Sequence, residues 1–150
     1  MQKKINIENR KAKFNFEFIE KFDAGIQLLG TEIKSIRMGK VSIAESFCEF
    51  KNSELYIVNM HIEEYSYGGK YYNHVAKRER KLLLKAKEIK KLLKEVKNVG
   101  LTIIPTRLYV NDRGLAKLII ALSKGKKLYD KRESIKEREV KRDLDRKIKS

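Results

Sequence analysis

The last sixth of the chain, Gly125 to Ser150, cannot build a core of its own, and this confines the folded part to what precedes it. It reads GKKLYDKRESIKEREVKRDLDRKIKS. From Ser123 to Ser150 there are 12 Lys and Arg against 6 Asp and Glu. After Arg132 the composition favours helix, with Glu, Lys and Arg and neither Pro nor Gly. Glu133 with Lys136 and Glu137 with Lys141 fall at helical charge-pair spacings. Val140, Leu144 and Ile148 repeat every four positions, but Ile135 lies on another side of the wheel. That stripe is too thin to hold a helix on a core, and an isolated helix this short is marginal in water. The pattern predicts a folded domain over 1–124 and a basic tail over 125–150. Such a tail is disordered alone and becomes helical against something negative. A solvated terminal helix without a function satisfies the same charge pattern.

The rest of the chain favours the negative partner. The 150 residues carry a net charge of +16, and the pI is about 9.9. Ten of those charges lie outside the tail. Excess charge of one sign opposes compaction and invites a polyanion, and a folded domain this basic has the footprint of a nucleic-acid binder. A generally Lys-rich composition would raise the charge everywhere in the same way. Cys48 is the single cysteine, so neither an internal disulfide nor a Cys-based zinc site can form. Between Phe47 and Phe50 it reads as a small buried thiol. No stretch reaches the apolar length of a membrane span, and the N-terminus lacks the apolar run of a signal peptide. Cytoplasmic location and no membrane partner are the expectation.

Along the chain, short strands alternate with turn signals. Phe14, Phe16 and Phe18 alternate with polar neighbours, the period of a half-buried strand. Asp23-Ala24-Gly25 reads as a turn. Thr31 can cap a short helix that places Ile33 and Ile36 on the core and closes at Gly39. Strands are expected over Ser42–Lys51 and Leu55–Ile62, joined by a hairpin turn at Asn52-Ser53. Residues 65–81, YSYGGKYYNHVAKRERK, interleave basic and aromatic side chains, which suits RNA: rings stack on bases and cations take phosphates. A long loop without structure reads the same way. His61 and His74 lack ligand spacing, so no metal site is expected. Leu82 to Leu84 reads as a buried run. Ile89, Leu92, Leu93 and Val96 then mark an amphipathic helix ended at Asn98-Val99-Gly100. Strands over Leu101–Ile104, Thr106–Val110 and Leu115–Leu122 follow. Pro105 sits between the first two and a hairpin turn at Asn111–Gly114 between the last two. Ser123 to Lys127 leaves the sheet. The class is mainly β with flanking helices (α+β), a small closed antiparallel barrel of OB-like character.

Several stretches taken together resemble one family. They are NRKAKF at Asn9, DAG at Asp23, GTEIKSIRMGK at Gly30, NMHI at Asn59, NH at Asn73 with RERKLLL at Arg78, and GKKLYDKR at Gly125 followed by IKERE. The chain is similar, over nearly its full length, to small protein B (SmpB), which binds transfer-messenger RNA (tmRNA, SsrA) in bacterial ribosome rescue by trans-translation. Ala76 stands where that family commonly has proline, and Lys85 where it commonly has histidine. The resemblance implies a barrel that binds the tRNA-like domain of tmRNA and delivers it to stalled ribosomes. It also implies a tail that occupies the decoding centre and the empty mRNA channel. The elongation factor that delivers aminoacyl-tRNA would be met indirectly, through tmRNA. No catalysis, cofactor or metal is implied. A general RNA-binding or ribosome-associated barrel without tmRNA specificity is the alternative.

Residue roles follow from matched positions. The resemblance puts Asn9, Arg10, Lys11, Glu32, Lys34, Ser35, Arg37, Lys40, Asn73, His74, Arg78, Arg80 and Lys81 on the tmRNA surface. Lys126, Lys127, Tyr129, Asp130, Lys131, Arg132, Lys136, Arg138 and Lys141 would meet the ribosome. Glu32 repels phosphate, so it is expected either to accept from a base edge or ribose hydroxyl, or to orient a neighbouring Arg or Lys. On this reading Glu32→Ala weakens RNA binding and spares the fold.

Overall fold

The computed structural model of the protein describes residues 4–69, 72–98 and 100–126. The expected conformations of the tail, disordered alone and helical in contact, lie outside the described residues. Among those described there are nine strands and three helices. The strands are β1 (Asn6–Glu8), β2 (Phe16–Ile26), β3 (Val41–Ser42), β4 (Phe47–Lys51), β5 (Glu54–Val58), β6 (His61–Ile62), β7 (Arg80–Leu83), β8 (Leu101–Val110) and β9 (Ala116–Gly125). The helices are α1 (Arg10–Asn15), α2 (Gly30–Arg37) and α3 (Ala86–Glu95). The mainly β class with helices is therefore as expected.

Every strand pairing is antiparallel. In the large sheet β8 pairs with β4, β4 with β5, β5 with β7, β7 with β2, β2 with β9, and β9 again with β8. The circuit of pairings returns to its start. β1 shares the outer edge of β8 with β4, pairing Asn6 with Tyr109 and Glu8 with Arg107. β3 and β6 form a separate two-stranded piece. Closing the circuit leaves few unpaired edges, which limits strand-to-strand association between copies.

The core fills the inside of this circuit through period-two alternation. Phe22, Ala24 and Ile26 of β2 are buried while Lys21 and Asp23 are exposed. Leu55 and Ile57 of β5, Leu82 of β7, and Leu118, Ile120 and Leu122 of β9 meet them. In β8 the core residues Ile103 and Leu108 are of opposite parity. A one-residue bulge reconciles them: Pro105 pairs with Ile120 and Arg107 with Ile119, which leaves Thr106 as the extra residue. α3 lays Leu92, fully buried, on the core, worth about 1.5–3 kcal/mol.

The structure corrects several element boundaries. Asp23-Ala24-Gly25 is no turn but lies within β2. Gly25 pairs with Leu83 on one side and Lys117 on the other. A Cβ there would come within 3.3 Å of the Leu83 Cβ, so this glycine serves close strand approach. Pro105 does not separate two strands, because the bulge absorbs its missing N–H within one. β9 continues to Gly125, and Ser123, expected to leave the sheet, is buried and donates to the Ala121 carbonyl at 2.8 Å. Leu83 is half exposed, so Leu82–Leu84 alternates and is not a buried run. The expected strand Leu55–Ile62 breaks at Asn59, whose φ is +65°, and the one over Ser42–Lys51 breaks at a turn closed by Ser46 on the Ile43 carbonyl. Phe14 belongs to α1, and neither α1 nor β1 was expected. The Asn52-Ser53 turn is as expected, with both φ positive and Lys51 paired with Glu54.

Candidate nucleic-acid interface

α2 carries the densest part of the quoted motifs, and its anchor is Glu32 at the third helical position. There the carboxylate caps its own helix: one oxygen accepts from the Leu29 N–H at 2.8 Å. The same oxygen accepts from Nη2 of Arg78 at 2.6 Å, and the other oxygen accepts from Nε of Arg80. Glu32 and Arg80 are both fully buried. The Arg80 guanidinium also donates to the Met60 carbonyl at 2.7 Å and to the Ala76 carbonyl at 3.0 Å. One side chain of β7 thus ties α2 to the segment before β6 and to the loop before β7.

The charges in this bracket do not balance. One carboxylate serves two guanidiniums. Burial acts to raise the Glu32 carboxyl. Hydrogen bonds from Arg78, the Leu29 N–H and Arg80, with the charge of Arg80, outweigh it and hold the group below the ordinary carboxylate value. Burial lowers Arg80, against the opposing pull of Glu32. Arg78 is the outer member, with about a third of its side chain exposed (35%) and a buried Nε that has no hydrogen-bond partner. Ser35, one turn after Glu32, is buried with its hydroxyl likewise unpartnered.

A second bracket is neutral. Asn9 is buried at the N-cap of α1, where its Oδ1 accepts from the Ala12 N–H at 3.1 Å. Its Nδ2 donates to the carbonyls of Pro105 at 2.8 Å and Ile43 at 3.2 Å, and its own N–H reaches the Thr106 carbonyl at 2.8 Å. The bulge in β8 presents those acceptors. Asn73 and His74 do related work in the loop. Asn73 accepts from the Tyr65 N–H at 2.9 Å and donates to the Tyr65 carbonyl at 2.7 Å. His74 is buried; Nε2 donates to the Ile62 carbonyl at 2.9 Å, and Nδ1 lies 2.9 Å from the Thr31 hydroxyl.

Placement therefore corrects part of the predicted surface. Asn9, Glu32, Ser35, His74 and Arg80 are inside, because each polar group is committed to the fold or covered by it. Of the two jobs expected of Glu32, the geometry performs the second, orienting Arg78 and Arg80. Asn73 is half buried and committed to its loop. Arg10, Lys11, Lys34 and Arg37 are exposed, and Lys40 and Lys81 partly so. Lys11 pairs with Glu45, Lys81 with Glu54 at 3.2 Å, and Arg37 donates to the Gly114 carbonyl at 3.0 Å. Nζ of Lys34 lies 5.4 Å from the centre of the Tyr65 ring. Lys126 donates its N–H to the Asn15 carbonyl at 3.0 Å. The other predicted ribosome-facing residues, Lys127 to Lys141, lie outside the described residues.

Thr31 and Tyr65 escaped the sequence reading as parts of this arrangement. Their partners, His74 and Lys34, are 43 and 31 residues away, and no local spacing announces such contacts. Cys48 is buried, and burial raises its thiol pKa, so it stays protonated and unreactive. Among the described residues no group of three or more His, Cys, Asp or Glu could hold a metal ion, and no helix is long and apolar enough to cross a membrane.

The family model described as SmpB protein matches residues 6–150. The SsrA-binding protein of Christiangramia forsetii is 66% identical over 97% of this chain and 92% of its own length. That of Flavobacterium psychrophilum is 62% identical over 97% of both. A chain in the solved structure described as "tmRNA-SmpB: a journey to the center of the bacterial ribosome" superposes with a TM-score of 0.70. It is 43% identical, covering 87% of this chain and 94% of that one.

Proposed function

The chain belongs to the SmpB family, and from that premise we propose that it binds the tRNA-like domain of tmRNA and delivers it to stalled ribosomes for trans-translation. The observation that carries this reading is the near full-length identity to SsrA-binding proteins, together with the likeness to the tmRNA-SmpB chain. The closed circuit of strands serves as an OB-like barrel. Arg10, Lys11, Lys34, Arg37, Lys40, Arg78 and Lys81 meet RNA phosphates. Asn9, Glu32, Ser35, Asn73, His74 and Arg80 hold that surface in shape from behind. The protein is an adaptor without a chemical step of its own and works in the cytoplasm. The elongation factor that carries aminoacyl-tRNA reaches it through the RNA.

The domain division at 124/125 separates two tasks. The tail, from Lys126 and Lys127 through Tyr129, Asp130, Lys131, Arg132, Lys136, Arg138 and Lys141, meets ribosomal RNA of the decoding centre and mRNA channel. Deleting Leu128 to Ser150 should leave affinity for isolated tmRNA within a few-fold and stop peptide tagging on ribosomes stalled without a stop codon. Loss of tmRNA binding, or full tagging, by the truncated protein would refute the division. The broader reading is tested by titrating the tRNA-like RNA against bulk tRNA at several salt concentrations. Affinity should fall steeply, each neutralised phosphate contributing about 0.7–0.9 to the log–log slope. Equal affinity for the two RNAs would leave a general RNA binder without tmRNA specificity.

A further inference from the structure

Two cavities meet at Arg37, and their linings differ in chemistry. The first, about 570 Å³, opens between the β8–β9 turn and the start of the described chain; Lys4, Arg37 and Arg113 line it, with Asp112 as the one carboxylate on its wall. The second, about 510 Å³, is apolar, walled by Leu28, Ile33, Leu83 and Leu115, with Lys117 at its rim. Leu83 and Leu115 are 50% and 57% exposed, a poor use of leucine unless something covers them. Lys117 is 3.8 Å from Asp23, whereas no ion pair occupies Lys4 or Arg113 among the described residues. Each volume is in the range of about 300–1,000 Å³ typical of small-molecule sites.

The shared wall is built. Nη2 of Arg37 donates to the Gly114 carbonyl at 3.0 Å. Gly114 has φ +80°, and a Cβ there would stand 3.0 Å from that same nitrogen. The glycine therefore lets the turn close against the guanidinium, which fixes a cation between the two cavities. A cationic cleft continuous with an apolar slot matches one chemical unit: a phosphate attached to a flat apolar-faced ring. A peptide would need acceptors for its backbone along the slot, and a lipid would need no cation at this depth.

We propose that the paired cavities hold one unpaired nucleotide of the bound RNA. Its phosphate lies on Lys4 and Arg113, and its base lies between Leu83 and Leu115, with Arg37 bridging the two. The proposal rests on the RNA-binding reading above and names a contact of that surface: a splayed-out base with its backbone.

Two double variants separate the halves. Lys4→Gln with Arg113→Gln should weaken binding of the tRNA-like RNA and make the salt slope shallower by about 1 per cation. Leu83→Ala with Leu115→Ala should weaken it about five- to a hundredfold with the salt slope unchanged, as loss of base packing does. Thermal midpoints are taken on the same samples. A photo-crosslinking amino acid at position 115 gives a readout independent of affinity: it should label a single-stranded nucleotide. Affinity within twofold of the unaltered protein for both variants, or crosslinks confined to duplex, would overturn the nucleotide site. Failure of the unaltered protein to prefer the tRNA-like RNA would instead overturn the function from which the site was argued.

Discussion

Around Asn9 a neutral amide ties α1 to the bulge of β8; around Glu32 a carboxylate and two guanidiniums tie α2 to β7 and its loop. Both brackets end on backbone carbonyls that regular pairing leaves open: Ile43 and Pro105 in one, Met60 and Ala76 in the other. Both also cap a helix N-terminus. They differ in what removal leaves behind. Without Asn9 two carbonyls lose a neutral donor. Without Glu32 two cations face each other, one of them fully buried. The lesson concerns which motif residues touch a partner. In both brackets the buried residue is shaped by the fold, and the cations beside it, Arg10 and Lys11 in one and Lys34 and Arg37 in the other, are left to face outward.

The largest expected effect comes from the charged bracket. Glu32→Ala should destabilise the fold by about 3–5 kcal/mol, because Arg80 becomes an uncompensated buried charge. The sequence reading expected this substitution to spare the fold, as an exposed carboxylate would; burial reverses that expectation. Domains of this kind are stable by about 5–15 kcal/mol, so the variant should remain mostly folded but lose a large share of its stability. Denaturant unfolding of variant and parent measures it. A loss below about 1 kcal/mol would mean that the bracket relaxes into solvent when cut, contrary to its geometry.

Asn9→Ala should cost less, about 1–3 kcal/mol, the sum of a lost N-cap and two carbonyls left without their donor. Asn9→Asp tests the neutrality of this bracket. It keeps the cap acceptor but places a second acceptor against the Pro105 and Ile43 carbonyls. It should therefore be no better than alanine, whereas a mere capping role would let aspartate restore the parent midpoint.

Much of the fold could be read from the alternation of apolar residues. Phe22 with Ala24 and Ile26, Leu55 with Ile57, and the Asn52-Ser53 and Asn111–Gly114 turns all declare themselves locally. The errors were at residues with two local meanings. Gly25 reads as a turn former until Leu83 is known to pack across it, and Pro105 reads as a break until Thr106 is known to bulge. The site was harder for the same reason. Motif matches identified the residues but not their depth. Glu32, Arg78 and Arg80 are brought together only by the pairings of β7 with β2 and β5, 46 to 48 residues from α2 in sequence.

Acid should separate the brackets next. The folded-state pKa of Glu32 is depressed, so its stabilisation is present above its unfolded value and lost as pH falls through the folded one. Unfolding midpoints of the parent and of Glu32→Gln, followed from about pH 6 to about pH 3, should converge as the carboxyl protonates. Asn9→Ala has no titrating group to lose, so its deficit should stay parallel to the parent. A gap for Glu32→Gln that stays constant across that range would show that the carboxylate charge contributes nothing to the bracket.

The smallest effect is expected at Lys11, and it decides what holds α1. Lys11 sits two residues after Asn9 and pairs with Glu45, both side chains more than half exposed. Exposed pairs contribute roughly 0–1 kcal/mol and are screened by salt. If the buried amide anchors the helix, Lys11→Ala should shift stability by less than about 0.5 kcal/mol, and raising the salt concentration should erase even that. Its affinity for the tRNA-like RNA should nevertheless fall, with the log–log salt slope shallower by about 1, because the lysine is free to exchange Glu45 for a phosphate. A stability loss as large as that of Asn9→Ala would instead place the anchor of α1 on the surface pair. The contrast between buried brackets and exposed cations would then fail on this side of the molecule.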